Sequence, residues 1–138
     1  MNTGPVLKKR VVLAENKPLS LLMLRFQIAA AGYQVVRTVF RGDHAVSAVA
    51  ELSPEVLVMS VDMPVLGGIE ATRQIMAQTP VSIILTTSTR DEELMKDAMK
   101  SGICSYLLKP ISSDKIRVAL KLASLYSSRR YNSSQTQL

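Results

Sequence analysis

The stretch VLVMSVDMPVLGG, residues 56–68, joins a run of apolar residues directly to a turn of proline and glycine. A short, continuous apolar run of this kind is typical of a strand that is buried on both faces of a parallel sheet. Ser60 closes the run and Asp62 follows two residues later. Because ligands of doubly wound sheets bind beyond the carboxyl ends of the strands, we expect the functional site near Ser60 and Asp62.

Apolar runs of the same kind recur on both sides of this stretch, and helical segments separate them. The predicted strands are RVVLA (10–14), YQVVRTVF (33–40), EVLVMS (55–60), VSIILTT (81–87) and CSYLLK (104–109). The predicted helices cover residues 19–31, 43–52, 68–78, 91–101 and 113 to about 127. This alternation predicts right-handed crossovers and a parallel α/β sheet covered on both faces. The folded domain is expected over residues 8–127, with flexible ends at 1–7 and 128–138, because the first segment is short and the second has too few apolar residues to pack.

Length and composition limit the classes of function. The chain has 138 residues, of which 47% are hydrophobic, enough for the core of a single domain. The net charge of +6 suggests nucleic acid as a partner, but aromatic residues do not interleave with the basic residues as a stacking surface requires. We therefore do not expect this domain to bind nucleic acid. The sequence contains neither a long uncharged apolar run nor a secretory signal, so we expect a soluble, cytoplasmic protein without membrane contact.

Three segments resemble the receiver domain of two-component response regulators, the CheY-like family. LAENKPLSLLMLRFQIAAAGYQVV (13–36) is similar to the family's acidic turn and first helix, and VLVMSVDMPVLGGIEATRQI (56–75) to its phosphorylation loop. IILTTSTRDEELMKDAMKSGICSYLLKP (83–110) is similar to the segment from the switch threonine to the lysine and proline. The resemblance implies a flavodoxin-like (βα)5 fold with the strand order 2-1-3-4-5.

The same resemblance implies a role for each polar residue that follows a predicted strand. Ser60 occupies the position of the aspartate that accepts a phosphoryl group, four residues before Pro64. Glu15 and Asn16 stand where the family places two acidic residues that hold magnesium. The positions of the switch residues and of the ion-pair partner of the aspartate are occupied by Thr87, Tyr106 and Lys109, and the Lys109–Pro110 bond is expected to be cis.

Two of these positions depart from the family pattern. A serine hydroxyl is neutral, and no obvious base would activate it as a nucleophile toward phosphorus. An amide at Asn16 removes a charge from the magnesium site, so we expect Mg²⁺ binding to be weak or absent and any residual ion to be held by Glu15 and Asp62. The sequence thus predicts a pseudo-receiver that is not an enzyme. Lys109, without an aspartate at position 60, is expected to contact Glu15 or Asp62, because an unpaired buried ammonium is costly.

Without phosphoryl chemistry, the domain is expected to act through contacts with a protein partner or an output domain. Apolar residues on helical surfaces mark the predicted contact faces: Leu21 and Phe26 on the first helix, Met95 and Met99 on the fourth, and Val118, Leu122 and Leu125 on the fifth. The resemblance also suggests a homodimer through the fourth and fifth helices. Two alternatives stay open at this point: a phosphorylatable regulator that uses Asp62 or Ser60, and a basic adaptor that binds nucleic acid.

Overall fold

A computed structural model of the protein describes residues 7–136, with side chains described within residues 7–127. The elements in chain order are β1 (Arg10–Ala14), α1 (Pro18–Ala30), β2 (Gln34–Val39), α2 (Gly42–Leu52), β3 (Val56–Ser60), α3 (Gly68–Met76), β4 (Ser82–Thr87), α4 (Glu92–Lys100), β5 (Ser105–Leu108) and α5 (Ser113–Thr136). Every predicted strand and helix is present, and their ends differ from the prediction by one or two residues except in α5. Of the predicted flexible ends, residues 1–6 and 137–138 lie outside the described residues.

The five strands form one parallel sheet in the order β2-β1-β3-β4-β5. This is the predicted fold class. The strand order reverses at β1, between β2 and β3, so a crevice opens beyond the carboxyl ends of β1 and β3. The site residues predicted from the sequence follow these strands and their neighbours β4 and β5.

Side chains of the strands alternate between two apolar layers, because successive residues of a strand point to opposite faces. On β1, Val12 and Ala14 belong to the layer beneath α2 and α3, whereas Val11 and Leu13 belong to the layer beneath α1 and α5. These four side chains are fully buried. Complete burial of a leucine or valine side chain stabilises the fold by about 1.5–3 kcal/mol, so the strands are anchored on both faces.

Local signals in the sequence explain where several helices begin and end. Pro18 lies in the first turn of α1, where its missing N–H costs nothing. Gly32 and Gly102 follow α1 and α4 with φ angles of 93° and 100°, a left-handed conformation that favours glycine. Asp91 begins α4 by accepting hydrogen bonds from the backbone N–H groups of the second and third residues of the helix.

The last helix is longer than the sequence predicts. We expected α5 to end at about Ser127, but it continues to Thr136. Apolar periodicity stops at Ser127, yet residues 128–136 contain neither glycine nor proline to end a helix. Ser127 itself is fixed to the sheet, since its Oγ donates a hydrogen bond to the carbonyl oxygen of Glu55 at 2.5 Å and lies 3.1 Å from the Oγ of Ser82. Among the described residues, no helix combines the length and the apolar character needed to span a membrane.

Candidate functional site

Strand register brings the predicted site residues to one edge of the sheet. Ala14 pairs with Met59, so the next residues along each strand, Glu15 and Ser60, are neighbours. Ser60 in turn pairs with Thr86 on β4. At the far side, the backbone N–H of Lys109 donates to the carbonyl oxygen of Thr87 at 2.7 Å. The carboxyl ends of four adjacent strands therefore form a continuous row of polar residues.

Glu15 is the buried acid of this row. Its side chain is 0% exposed, and its Oε2 accepts hydrogen bonds from the backbone N–H groups of Asn16 at 2.9 Å and Lys17 at 3.2 Å. The Nζ of Lys109, whose side chain is 10% exposed, donates to the Oε1 of Glu15. The predicted contact of Lys109 with a carboxylate is confirmed, and the partner is Glu15. Both oxygens of this carboxylate are thus engaged by the protein itself.

A hydrogen bond from α1 positions the segment that carries Lys109. The Lys109–Pro110 peptide bond is cis, as the resemblance implied. Just beyond it, the carbonyl oxygen of buried Ile111 accepts a hydrogen bond from the Nε2 of Gln27 at 2.8 Å. Sequence reasoning missed Gln27. The available signal was one amide on the core face of an otherwise apolar helix, because such a group is buried only when it has a partner.

Ser60, at the position of the phosphoacceptor, is enclosed. Its side chain is 1% exposed, and its Oγ accepts a hydrogen bond from the backbone N–H of Asp62 at 3.3 Å. The start of α3 covers the same strand end: a Cβ added to Gly68 would lie 2.4 Å from the carbonyl oxygen of Ser60. The serine therefore acts as a local partner for the backbone of the turn.

The other two residues of the predicted acidic pocket do not share this environment. Asn16 and Asp62 are both exposed. Within residues 7–127, the structure records no hydrogen bond or ion pair of the Asp62 carboxylate, and no group of three or more His, Cys, Asp or Glu side chains could hold a metal ion. Magnesium needs several oxygen ligands in octahedral geometry. Of the three residues predicted to hold the ion, only Glu15 is buried, and both of its carboxylate oxygens already accept hydrogen bonds.

The two switch positions carry the expected residue types. Thr87 is 1% exposed, and its Oγ1 accepts a hydrogen bond from the backbone N–H of Thr89 at 3.2 Å. Tyr106 packs against the apolar layer beneath α2 and α3, with its hydroxyl buried. Among the described residues, neither this hydroxyl nor the Oγ1 of neighbouring Thr86 has a hydrogen-bond partner. Leaving a buried hydroxyl unpaired costs about 1–3 kcal/mol. The apolar contacts of the Tyr106 ring must offset this cost, because no hydrogen bond from the described part of the chain does so.

The predicted contact faces are exposed except at one residue. Met95, Met99, Val118, Leu122 and Leu125 of α4 and α5 are all between 41% and 55% exposed. On α1, Phe26 is 76% exposed, but Leu21 is partly buried and packs against the layer beneath α1 and α5. The assignment of Leu21 to a contact face is therefore wrong. Its place on the helix is at the margin of the core face, which the sequence could not reveal because both faces of α1 are apolar.

Comparison with known proteins agrees with this geometry. The family model of the response regulator receiver domain matches residues 11–121. The chemotaxis protein CheY of Thermotoga maritima is 31% identical over 117 residues, which are 84% of this chain and 98% of that protein. The protein-glutamate methylesterase/protein-glutamine glutaminase of Haloarcula marismortui is 32% identical over 124 residues, 86% of this chain but 34% of that relative. The solved signal receiver domain of a modulated diguanylate cyclase from Desulfovibrio desulfuricans G20 superposes with a TM-score of 0.82 at 25% identity, covering 89% of this chain and 98% of that one.

Proposed function

This chain belongs to the response regulator receiver domain family, and we propose that it is a member that signals without being phosphorylated. It acts in the cytoplasm through contacts with other proteins and catalyses no reaction. The observation that carries this proposal is the buried hydroxyl of Ser60 at the position where the family has its phosphoacceptor aspartate.

The chemistry of phosphoryl transfer supports the proposal. Transfer to an aspartate requires a carboxylate oxygen that is free to attack phosphorus, with cations that neutralise the charge on the transferred oxygens. Ser60 offers a neutral oxygen that already accepts a hydrogen bond from Asp62. Both oxygens of Glu15 are engaged, and the Asp62 carboxylate lies on an exposed residue whereas the Ser60 hydroxyl is buried, so neither acid is placed as a base for the serine.

We propose further that Mg²⁺ binds weakly or not at all. The ammonium group of Lys109 donates to the Glu15 carboxylate and occupies the place that a metal ion would take beside it. A magnesium ion would have to displace the lysine and recruit the exposed side chains of Asn16 and Asp62. The ion pair of Glu15 and Lys109 supports this proposal, because it engages the one buried carboxylate among the predicted ligands.

The exposed apolar residues of α4 and α5 are the proposed face for a protein partner, either an output module or a second receiver. Met95 and Met99 lie on α4, and Val118, Leu122 and Leu125 follow one face of α5. Large apolar side chains that remain exposed are typical of a protein interface, and methionine adapts its shape to different partners. The partner of this face is expected to present an apolar surface of its own.

Incubation with acetyl phosphate and Mg²⁺, followed by intact mass measurement, tests the proposal. We expect no phosphoryl adduct on the natural chain. The matched control is the double variant Asn16→Asp with Ser60→Asp, which restores both carboxylates and should gain a magnesium-dependent adduct. A magnesium-dependent adduct on the natural chain that disappears in Asp62→Asn or Ser60→Ala would show that the proposal is wrong and that the domain is a working phosphoacceptor.

A further inference from the structure

Helix α1 is apolar on both of its faces, although only one of them packs against the sheet. Leu24, Gln27 and Ile28 are buried on the core face. The opposite face carries large apolar side chains and alanines at helical spacing, and Arg25 is the one charged residue of the helix. We call this face the α1 stripe, and it consists of Leu19, Leu22, Met23, Phe26, Ala29 and Ala30. A helix that is apolar all round is normally covered on all sides.

The four large side chains of the α1 stripe are strongly exposed. Leu19 is 71%, Leu22 67%, Met23 43% and Phe26 76% exposed. Together they present on the order of 450 Å² of apolar surface, which is the size of the largest patch on a typical monomer, and patches of that size are often functional. Leu19 and Met23 also line a groove of about 260 Å³ beside Pro110 and Ile111. The α1 stripe is therefore concave along one side and could receive a side chain of a partner there.

We infer that the α1 stripe is the contact face between two copies of this chain, which pack with their α1 helices antiparallel about a twofold axis. The stripe is self-complementary in this orientation. Its bulky residue Leu19 lies at the amino-terminal end and its small residues Ala29 and Ala30 lie at the carboxyl-terminal end. Antiparallel packing places Leu19 of each copy over the two alanines of the other, and Leu22 against Phe26. Pairing large side chains with small ones lets two helices approach closely.

Charge and area also favour a second copy. The stripe itself is uncharged and Arg25 lies at its edge, so nothing on this face selects a charged partner. Two copies would bury about 900 Å² from the four large side chains alone, and the alanines and the groove add to this. The total reaches about 1,000 Å², the lower limit of a specific interface. We therefore expect a weak dimer, with a dissociation constant on the order of 10–100 µM. The inference goes beyond the proposed function and does not depend on phosphorylation.

Sedimentation equilibrium of the full chain, up to about 200 µM, measures this dimer. Phe26→Glu and Leu22→Glu place a charge in the stripe and should each raise the dissociation constant at least about 30-fold. Ala50→Glu is the matched control, because it makes the same change of net charge at an exposed position of α2, outside both proposed contact faces. It should leave the dimer unchanged. Thermal melts of all three variants verify that they are folded, which is expected at exposed sites.

Cross-linking tests the orientation. In a Cys104→Ser background, Leu22→Cys mixed with Phe26→Cys should form the mixed disulfide faster than either variant pairs with itself. A chain that stays monomeric over the whole concentration range overturns the inference. So does a dimer that Val118→Glu weakens and Phe26→Glu does not, because the contact would then lie on α5. Neither result bears on the acetyl phosphate experiment, so the two proposals fail separately.

Discussion

Replacing Lys109 by methionine leaves the carboxylate of Glu15 buried without its cation, and we expect the change to lower the free energy of unfolding by about 3 kcal/mol. The magnitude follows from the burial of the pair, since the Glu15 side chain is 0% and the Lys109 side chain 10% exposed. Methionine keeps most of the aliphatic length of lysine. The loss therefore reports the uncompensated carboxylate and not a cavity.

The companion variant is Glu15→Gln, which keeps a side-chain oxygen for the backbone N–H groups of Asn16 and Lys17. On its own it should cost about 1–2 kcal/mol, because Lys109 loses its partner but can extend toward water. Combined with Lys109→Met it removes the buried charge altogether. We expect the double variant to be more stable than Lys109→Met alone, since a buried pair can be replaced as a whole at little cost.

Urea unfolding followed by circular dichroism gives the four free energies of this double-mutant cycle. With an m value of about 2 kcal/mol/M, Lys109→Met should lower the midpoint by about 1.5 M urea. Two results would refute the reasoning: a loss below about 1 kcal/mol for Lys109→Met, or a double variant as unstable as the sum of the two single changes. Either would mean that water or another group compensates Glu15.

Further predictions concern the turn between β3 and α3 and Gly42, the first residue of α2, which packs against this turn. Gly42→Ala would place a Cβ 1.7 Å from the carbonyl oxygen of Leu66, so we expect a loss of at least about 3 kcal/mol in urea unfolding. At Gly67 an added Cβ would lie 3.9 Å from the nearest atom, the carbonyl oxygen of Val61, so Gly67→Ser should change stability by less than about 0.5 kcal/mol. Val65 has a φ of 71°, which is unfavourable for a β-branched residue. Val65→Asn should therefore raise the melting temperature, with a gain of about 1 kcal/mol, and a lower melting temperature would contradict the assigned strain.

The sequence predicts the fold well because each of its signals is local. Apolar runs of four to six residues locate the buried strands, and Gly32 and Gly102 locate two helix ends by their conformational preference. The end of α5 was predicted wrongly because the end of an apolar pattern is not a signal that stops a helix. Residues 128–136 lack such a signal, and the backbone continues as a helix.

The site was predicted less completely because side-chain pairing is a tertiary property. Spacing identified Lys109 and offered Glu15 or Asp62 as its partner. Only the packing of the strand ends decides between them, since Glu15 follows β1 into the interior while Asp62 remains at the surface. The bond from Gln27 to Ile111 joins residues 84 positions apart, a separation at which no local pattern in the sequence indicates a pairing.

The continuation of α5 sets a geometric rule for any fusion made to this domain. Among the residues whose side chains are described, Ser127 is the last that is hydrogen-bonded to the sheet, and the turns from there to Thr136 advance about 13 Å along the helix axis. A reporter joined through an unbroken helix would inherit both this offset and a fixed rotational angle. Each residue inserted at the junction would rotate the reporter by about 100° about the helix axis. A series of one-residue insertions would therefore place the reporter at different angles around the domain.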